Sequence, residues 1–222
     1  MSLALFGFIV FLLAQPLVAV AIGLRTDLPK EELGRLGLYS SVLSGPIVVL
    51  AILAAASSLQ SPWWSIGLRS DNLRHAIVEG FRVCVEWMPL VLCVNTLVRE
   101  LIPKQEGQTN LLEELLLNNP SSEIVWLAIA AASIRAPIVE ELVFRGLFQS
   151  WFNVFTAWPG ILCAAIVFAG VHSAAWPDPI PLVLVGIMFG LAFQRTRNLA
   201  ASIVAHSVFN SAMIVVALTK GK

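Results

Sequence analysis

Hydrophobic residues along this chain occur in long runs that are separated by short polar stretches. A helix needs about 20 mostly apolar residues to cross the hydrocarbon core of a bilayer, and seven runs approach or reach this length. They cover residues 3–24, 36–59, 76–98, a run that begins at Ile124, 158–175, 180–193 and 199–218. The pattern predicts an all-α, polytopic membrane bundle of about seven transmembrane helices in a single domain.

Two polar features interrupt this pattern in the first half of the chain. Residues 100–123 are polar and net acidic, and they predict a long loop with a short interfacial helix at Leu111–Leu117. In the run 76–98, the charged residues Glu79, Arg82 and Glu86 are spaced by three and four positions, so they lie on one helical stripe. We expect this stripe to face protein or water rather than lipid.

The composition supports a protein whose solvent is the bilayer. Of 222 residues, 58% are hydrophobic and only 13% are charged, whereas about a quarter of the residues of a soluble domain are charged. This excludes a soluble globule and a disordered chain. The formal net charge of zero argues against a nucleic-acid partner, because binding to phosphates needs a basic surface. The three cysteines are too few for a disulfide framework.

Ionisable residues interrupt three apolar stretches in the second half of the chain. Such residues are costly in a membrane helix and usually face an interior cavity. Glu141 and Arg145 are four residues apart, with the acid first, which favours an ion pair along one helix face. Glu140 points about 100° away around the helix. This leaves its carboxylate free for chemistry. Pro137 either starts or kinks this helix.

The other two stretches carry imidazoles and a carboxamide. Gly170, just before His172, predicts a close approach of helices. His206 and Asn210 are four residues apart, so they share a helix face. With Glu140, these groups suit either a site that activates water and stabilises an oxyanion, or a zinc site formed by Glu140, His172 and His206. The HExxH spacing of many zinc peptidases is absent. Interhelical clamping and hydrogen bonding are the purely structural alternatives.

Three short motifs, in a fixed order and each within an apolar stretch, carry a family resemblance. They are Glu140-Glu141-x-x-x-Arg145, Phe168-x-x-x-His172 and His206-x-x-x-Asn210. This set resembles that of the CPBP family, the CAAX-protease and bacteriocin-processing (Abi) intramembrane endopeptidases, which are related to the type II CAAX prenyl endopeptidases. The resemblance divides the chain into N-terminal transmembrane helices with a polar loop, residues 1–123, and a CPBP-like catalytic core, residues 124–218.

The resemblance implies a role for each motif residue. Glu140 and His172 are expected to activate water, and His206 and Asn210 to stabilise the oxyanion. Glu141 and Arg145 are expected to give structural support. The implied reaction needs no cofactor, and zinc is not favoured. The expected partners are membrane lipid and a peptide or protein substrate, which can be lipid-modified, with no nucleic acid.

The expected location is a bacterial or archaeal cytoplasmic membrane. Two other functions remain open: a catalytically silent immunity or scaffold protein of the same fold, and a transporter or proton relay. One geometric difficulty accompanies the peptidase hypothesis. With these span ends, Glu140 and His206 lie near the middle of the membrane, whereas His172 lies roughly 10 Å away in depth. The span boundaries are therefore the weakest part of the prediction.

Overall fold

The computed structural model describes residues 2–25, 27–60, 63–102, 111–117, 120–152, 157–172 and 177–220. Within these ranges the chain forms helices and no strand, which confirms the predicted all-α fold. We number the helices in chain order. They are α1 (Leu3–Ala21), α2 (Lys30–Ser58), α3 (Leu73–Leu101), α4 (Leu111–Leu117), α5 (122–152), α6 (Ala157–Val171), α7 (Pro179–Thr196) and α8 (Leu199–Lys220), with one 3₁₀ turn at Trp63–Ile66.

Each of the seven predicted apolar runs corresponds to one helix, namely α1, α2, α3, α5, α6, α7 or α8, and the short α4 coincides with the predicted interfacial helix. Four helices, α1, α2, α7 and α8, are long and apolar enough to cross a membrane. Apolar side chains cover their outer faces, and Val20 and Leu50 are 74% and 65% exposed. Exposed apolar surface on this scale suits lipid rather than water. The protein is a membrane protein.

Local sequence signals fix several helix ends. Ser2 and Ser121 are N-caps whose side-chain oxygens each accept a hydrogen bond from the backbone N–H three residues later, at 3.3 Å, at the starts of α1 and α5. Arg197 ends α7 in a left-handed backbone conformation, with φ of 53°. The Asn198 side chain after it donates to the Arg69 carbonyl and to Asn72 Oδ1. This junction ties the α7–α8 turn to the segment before α3.

Small residues allow the helices of the C-terminal half to cross closely. At Gly80 of α3, an added Cβ would collide with the Ala201 carbonyl of α8, and at Gly186 of α7 it would lie 2.8 Å from the Ala165 Cα of α6. Packing of this type drives helix association in membranes. The expectation for Gly170 is wrong, because a Cβ there would meet no atom within 4 Å. The close approach of α6 occurs one and a half turns earlier, on the face that carries Ala165.

The charged stripe of α3 faces another helix, as predicted for a stripe turned away from lipid. Arg195 of α7 donates to Glu79 Oε1 at 2.9 Å and lies 3.5 Å from Glu86. Arg82 contacts the same two carboxylates, with distances of 2.7 Å to Glu86 and 3.8 Å to Glu79. These four side chains form a mixed-charge cluster that joins α3 to α7.

Candidate active site

Helix α5 is one continuous helical run whose backbone changes type twice around the first motif. An α-helical segment, Ala136–Glu141, lies between two π-helical segments, Ile129–Arg135 and Leu142–Gln149. Pro137 lies in the first turn of the α-helical segment, and because helix precedes it, its missing N–H removes one backbone hydrogen bond there. Pro137 therefore starts a change of helix type within a run that continues on both sides. π-Helical turns are rare and occur often at functional sites.

Glu141 lies in a closed, fully buried cluster. Its Oε2 is 3.1 Å from Arg145 Nε, and neither side chain has exposed surface. Its Oε1 is 2.9 Å from Nδ1 of His206 on α8. Arg145 also donates from Nη2 to the Gly186 carbonyl at 2.9 Å. The predicted ion pair is therefore present, and it joins α5 to both α7 and α8.

Aromatic rings complete the surroundings of the Arg145 guanidinium. Its central carbon lies 5.1 Å from the ring centroid of Phe168, 5.6 Å from that of Phe189 and 5.9 Å from that of Phe144. A guanidinium at these distances is attracted by the ring quadrupoles. The ring of Phe189 also stacks on His206 with a centroid distance of 4.3 Å. The closed cluster of Glu141, Arg145 and His206 is therefore held both by polar contacts among its members and by the surrounding aromatic rings.

Glu140, the neighbouring residue, faces the two histidines of the other motifs. Its Oε2 lies 3.3 Å from His172 Nε2 and 4.0 Å from His206 Nε2. The Glu140 side chain is 7% exposed, whereas that of His172 is 32% exposed. One carboxylate oxygen therefore faces two imidazole nitrogens that come from different helices, and one of these imidazoles remains accessible.

Hydrogen bonds to the far side of each imidazole fix its orientation. His172 Nδ1 lies 2.7 Å from the Phe168 carbonyl, and His206 Nδ1 lies 2.9 Å from the Glu141 carboxylate. Because both partners are acceptors, each Nδ1 carries a hydrogen. In the neutral imidazoles, each Nε2 then presents a lone pair toward Glu140. An ionised Glu140 carboxylate and two such lone pairs can only accept hydrogen bonds. The arrangement therefore favours a proton shared between Glu140 and an imidazole, or a donor such as water between the carboxylate and the imidazoles.

A cavity of about 520 Å³ opens at this point. Glu140 and His172 line one side of it together with Arg135 of the π-helical segment. The remaining wall comes from the first two helices and the residues after α1, and its side chains are mostly apolar or small: Phe11, Leu12, Gln15, Pro16, Ala19, Leu24, Gly37 and Ser40. An apolar cavity with a few convergent polar groups is typical of a substrate site.

The contact between His172 and Glu140 shows that the expected difference in depth is wrong. This helix has 15 residues and ends at Val171, so it extends for about 22 Å, less than the roughly 30 Å of the hydrocarbon core. The predicted run extended to residue 175. His172 instead follows directly after the end of the helix, and its Nε2 contacts Glu140 there.

Asn210 contacts the π-helical part of α5. Its Nδ2 donates to the Ala132 carbonyl at 2.7 Å, and Asn210 is not among the residues that line the cavity. The structure therefore brings Glu140, His172 and His206 together directly. It places the Asn210 carboxamide on the same helix as His206, with one of its two N–H donors engaged by α5.

Sequence reasoning missed two elements of this site. The link from Glu141 to His206 joins residues 65 positions apart, and no local spacing predicts it. Arg135 also lies in the cavity wall, and a sequence signal for it exists, because an arginine within an apolar helix is costly and usually faces the protein interior.

The residues that the structure describes contain no group of three His, Cys, Asp or Glu side chains placed to hold a metal ion. This applies to the zinc set considered above, Glu140, His172 and His206.

Comparison with known proteins supports the resemblance seen in the motifs. Residues 122–212 match the family model described as type II CAAX prenyl endopeptidase Rce1-like. The chain is also similar to the UPF0177 protein YaiF of Lactococcus lactis, with 23% identity over 157 residues that cover 65% of this chain and 71% of that protein. No solved structure matches the chain. The family match covers 91 of the 222 residues, in the part of the chain that carries the three motifs.

Proposed function

We propose that this protein hydrolyses peptide bonds inside the membrane, with a water molecule activated by Glu140 and His172. The observation that carries the proposal is the pair of imidazole Nε2 atoms that face one buried carboxylate at the edge of an accessible cavity. A carboxylate and an imidazole at this spacing can hold a water between them and remove its proton. The match of residues 122–212 to a peptidase family supports the same chemistry.

In the proposed reaction, Glu140 takes a proton from water while the water oxygen bonds to the carbonyl carbon of the substrate. The carbonyl oxygen becomes an oxyanion. Glu140 then gives the proton to the amide nitrogen, the C–N bond breaks, and the products are a carboxylic acid and an amine. His172 Nε2 orients the water, and the hydrogen bond from its Nδ1 to the Phe168 carbonyl keeps the ring in place.

His206 and Asn210 are proposed to stabilise the oxyanion. His206 can donate from Nε2 only when its imidazole is protonated, because Nδ1 already donates to Glu141. The Glu141 carboxylate holds the His206 ring through Nδ1, as a buried Asp orients the imidazole in serine peptidases. The Asn210 carboxamide has a second N–H beyond the one bonded to Ala132. Glu141 and Arg145 thus act through His206 as positioning residues.

The substrate is proposed to be a membrane-associated peptide or protein, including lipid-modified ones, since apolar side chains form much of the cavity wall. The similarity to a Lactococcus lactis protein supports a place in a bacterial or archaeal cytoplasmic membrane. We propose that residues 124–218 form the catalytic core and that residues 1–123 complete the cavity through α1 and α2.

The test is cleavage of a detergent-solubilised peptide library by the purified protein reconstituted in nanodiscs, followed by mass spectrometry of the products. We expect the wild type to produce defined new termini and Glu140→Gln to lose cleavage by about 10²–10⁴-fold with an unchanged unfolding temperature. Glu86→Gln, which changes an acid of the α3 cluster outside the cavity, should keep full activity. Equal cleavage by wild type and Glu140→Gln would reject the role of Glu140. Restoration of a deletion phenotype by Glu140→Gln would favour the scaffold hypothesis instead.

A further inference from the structure

Gln15 is a cavity residue to which the proposed hydrolysis gives no role. It carries the only polar side chain of α1, whose other residues are apolar, glycine or proline. Gln15 is half-buried, and it lines the same cavity as Glu140 and His172. A carboxamide in a membrane helix is costly unless its polar atoms have hydrogen-bond partners.

The Gln15 carboxamide has no such partner in the described part of the chain, where no hydrogen bond involves its side chain. The hydroxyl of Ser40, on the α2 part of the same cavity wall, differs in this respect, because it donates to the Gly37 carbonyl at 2.8 Å. A carboxamide has two N–H donors and an acceptor oxygen. Gln15 therefore brings free donors and a free acceptor to the cavity wall.

Pro16 adds a backbone acceptor close to Gln15. Proline has no N–H, so the carbonyl four residues earlier, that of Leu12, lacks its usual helical partner. Pro16 lies inside α1, and both Leu12 and Pro16 line the cavity. Hydrocarbon offers no donor to such a carbonyl, which must be satisfied by protein, water or a ligand. The α1 part of the wall thus contains two neighbouring groups that can bind a polar ligand.

Two pairs of phenylalanine rings join α1 to α5 and show that these helices run in opposite directions. The pairs are Phe8 with Phe148, with ring centroids 5.1 Å apart, and Phe11 with Phe144, with ring centroids 5.5 Å apart. Gln15 follows Phe11 by four residues, and Glu140 precedes Phe144 by the same number. Both therefore lie about 6 Å from the second ring pair in the same direction. This register puts Gln15 at the depth of Glu140.

We propose that the Gln15 carboxamide and the Leu12 carbonyl bind the main chain of the peptide substrate beside the bond that is cut. The inference rests on the proposed hydrolysis. Each peptide unit carries one N–H and one C=O, which complement a carboxamide and a free carbonyl. Only an extended segment can offer these groups, because a helix already pairs them along its own chain. The site therefore selects substrates that are unwound at the cleavage point.

The first experiment measures the cleavage kinetics of one peptide that the wild type cuts. Gln15→Leu should raise KM about 3- to 10-fold with little change in kcat, because it removes hydrogen bonds to the bound peptide. Pro16→Ala restores an N–H for the Leu12 carbonyl and should raise KM about 2- to 5-fold. The control Pro89→Ala changes an exposed proline inside α3 and should leave KM unchanged. An unchanged KM in Gln15→Leu would overturn the proposal.

The second experiment separates this inference from the proposed hydrolysis, because it measures binding without turnover. Immobilised Glu140→Gln protein is incubated with one peptide library in two forms, unmodified and N-methylated at every second backbone nitrogen, and the retained peptides are identified by mass spectrometry. We expect preferential retention of the unmodified form. This preference should be lost in Glu140→Gln/Gln15→Leu and kept in Glu140→Gln/Leu17→Ala, which changes a residue of α1 that is 66% exposed.

That result would support the role of Gln15 even if the wild type cleaves no peptide. Equal retention of the two forms, no retention, or the same preference in the Glu140→Gln/Gln15→Leu variant would overturn it.

Discussion

Glu140 and Glu141 are adjacent in sequence and both buried, yet they lie in two very different regions. The region around Glu141 is closed: its carboxylate contacts Arg145 and His206, and neither Glu141 nor Arg145 has exposed side-chain surface. The region around Glu140 is open: it meets His172, which is partly exposed, and a cavity of about 520 Å³. Helix geometry creates the difference, because consecutive residues point about 100° apart.

The difference shows that neighbouring residues of one membrane helix can serve two purposes. Glu141 stabilises the fold, and Glu140 is available for chemistry. The closed region pairs the Glu141 carboxylate with Arg145 and His206 and so links three helices. The open region keeps a carboxylate and imidazole lone pairs toward a space that can hold water and substrate. His206 belongs to both regions, since its Nδ1 contacts Glu141 and its Nε2 faces Glu140.

The sharpest way to test this division is to remove the two histidines separately. His172→Ala and His206→Ala should each lower kcat by about 10²–10⁴-fold, because each removes an imidazole from the open region. Only His206→Ala should also destabilise the fold, by about 1–3 kcal/mol, since it leaves the buried Glu141 Oε1 without its partner. Cleavage kinetics and thermal unfolding in detergent measure the two effects, with His75→Ala as the control histidine. Equal loss of stability in both variants would contradict the division.

The closed region should depend on Arg145 for folding. Arg145→Met leaves the Glu141 carboxylate buried without its guanidinium, and we expect the free energy of unfolding to fall by about 3–5 kcal/mol. The yield of folded protein and its unfolding temperature in detergent report this change. Arg82→Met, which removes an arginine whose side chain is 65% exposed, should leave both unchanged. A stable Arg145→Met protein would show that the ion pair is dispensable.

Asn210 tests whether the oxyanion is stabilised from α8. Asn210→Asp keeps the shape of the side chain but removes its N–H donors, and loss of one such donor lowers kcat by about 10²–10³-fold in other hydrolases. We expect a similar loss here with little change in KM. If Asn210 only holds α8 against the Ala132 carbonyl, the variant will lose stability while the kcat of the folded fraction stays at the wild-type value.

The smallest expected effect concerns metal removal. If the open region works through its side chains alone, treatment with EDTA or 1,10-phenanthroline should leave cleavage unchanged, and elemental analysis should find no stoichiometric zinc. Loss of cleavage that added zinc restores would instead show that Glu140, His172 and His206 bind a metal. The open region would then act through that metal.

Much of this architecture was predictable because helices in a bilayer are built from local signals. Apolar runs gave the long helices, and α4 was found at Leu111–Leu117. The spacing of four residues gave the Glu141–Arg145 pair. The end of α6 was not predictable, since the apolar run continues past Val171 and hydropathy alone gives no reason for the helix to stop there. The close approach predicted at Gly170 was wrong, because the close contact of α6 forms on the face of Ala165.

The sequence by itself determined which polar side chains enter the membrane and which of them pair along one helix, because these depend only on spacing along a regular helix. Tertiary structure alone decided that His172 reaches Glu140, that His206 contacts both glutamates and that Arg135 faces the cavity. These contacts join residues on different helices. These contacts depend on how closely small residues let the helices cross, on where α6 ends and on the two π-helical segments of α5. Each of these three features depends in turn on packing across the whole bundle.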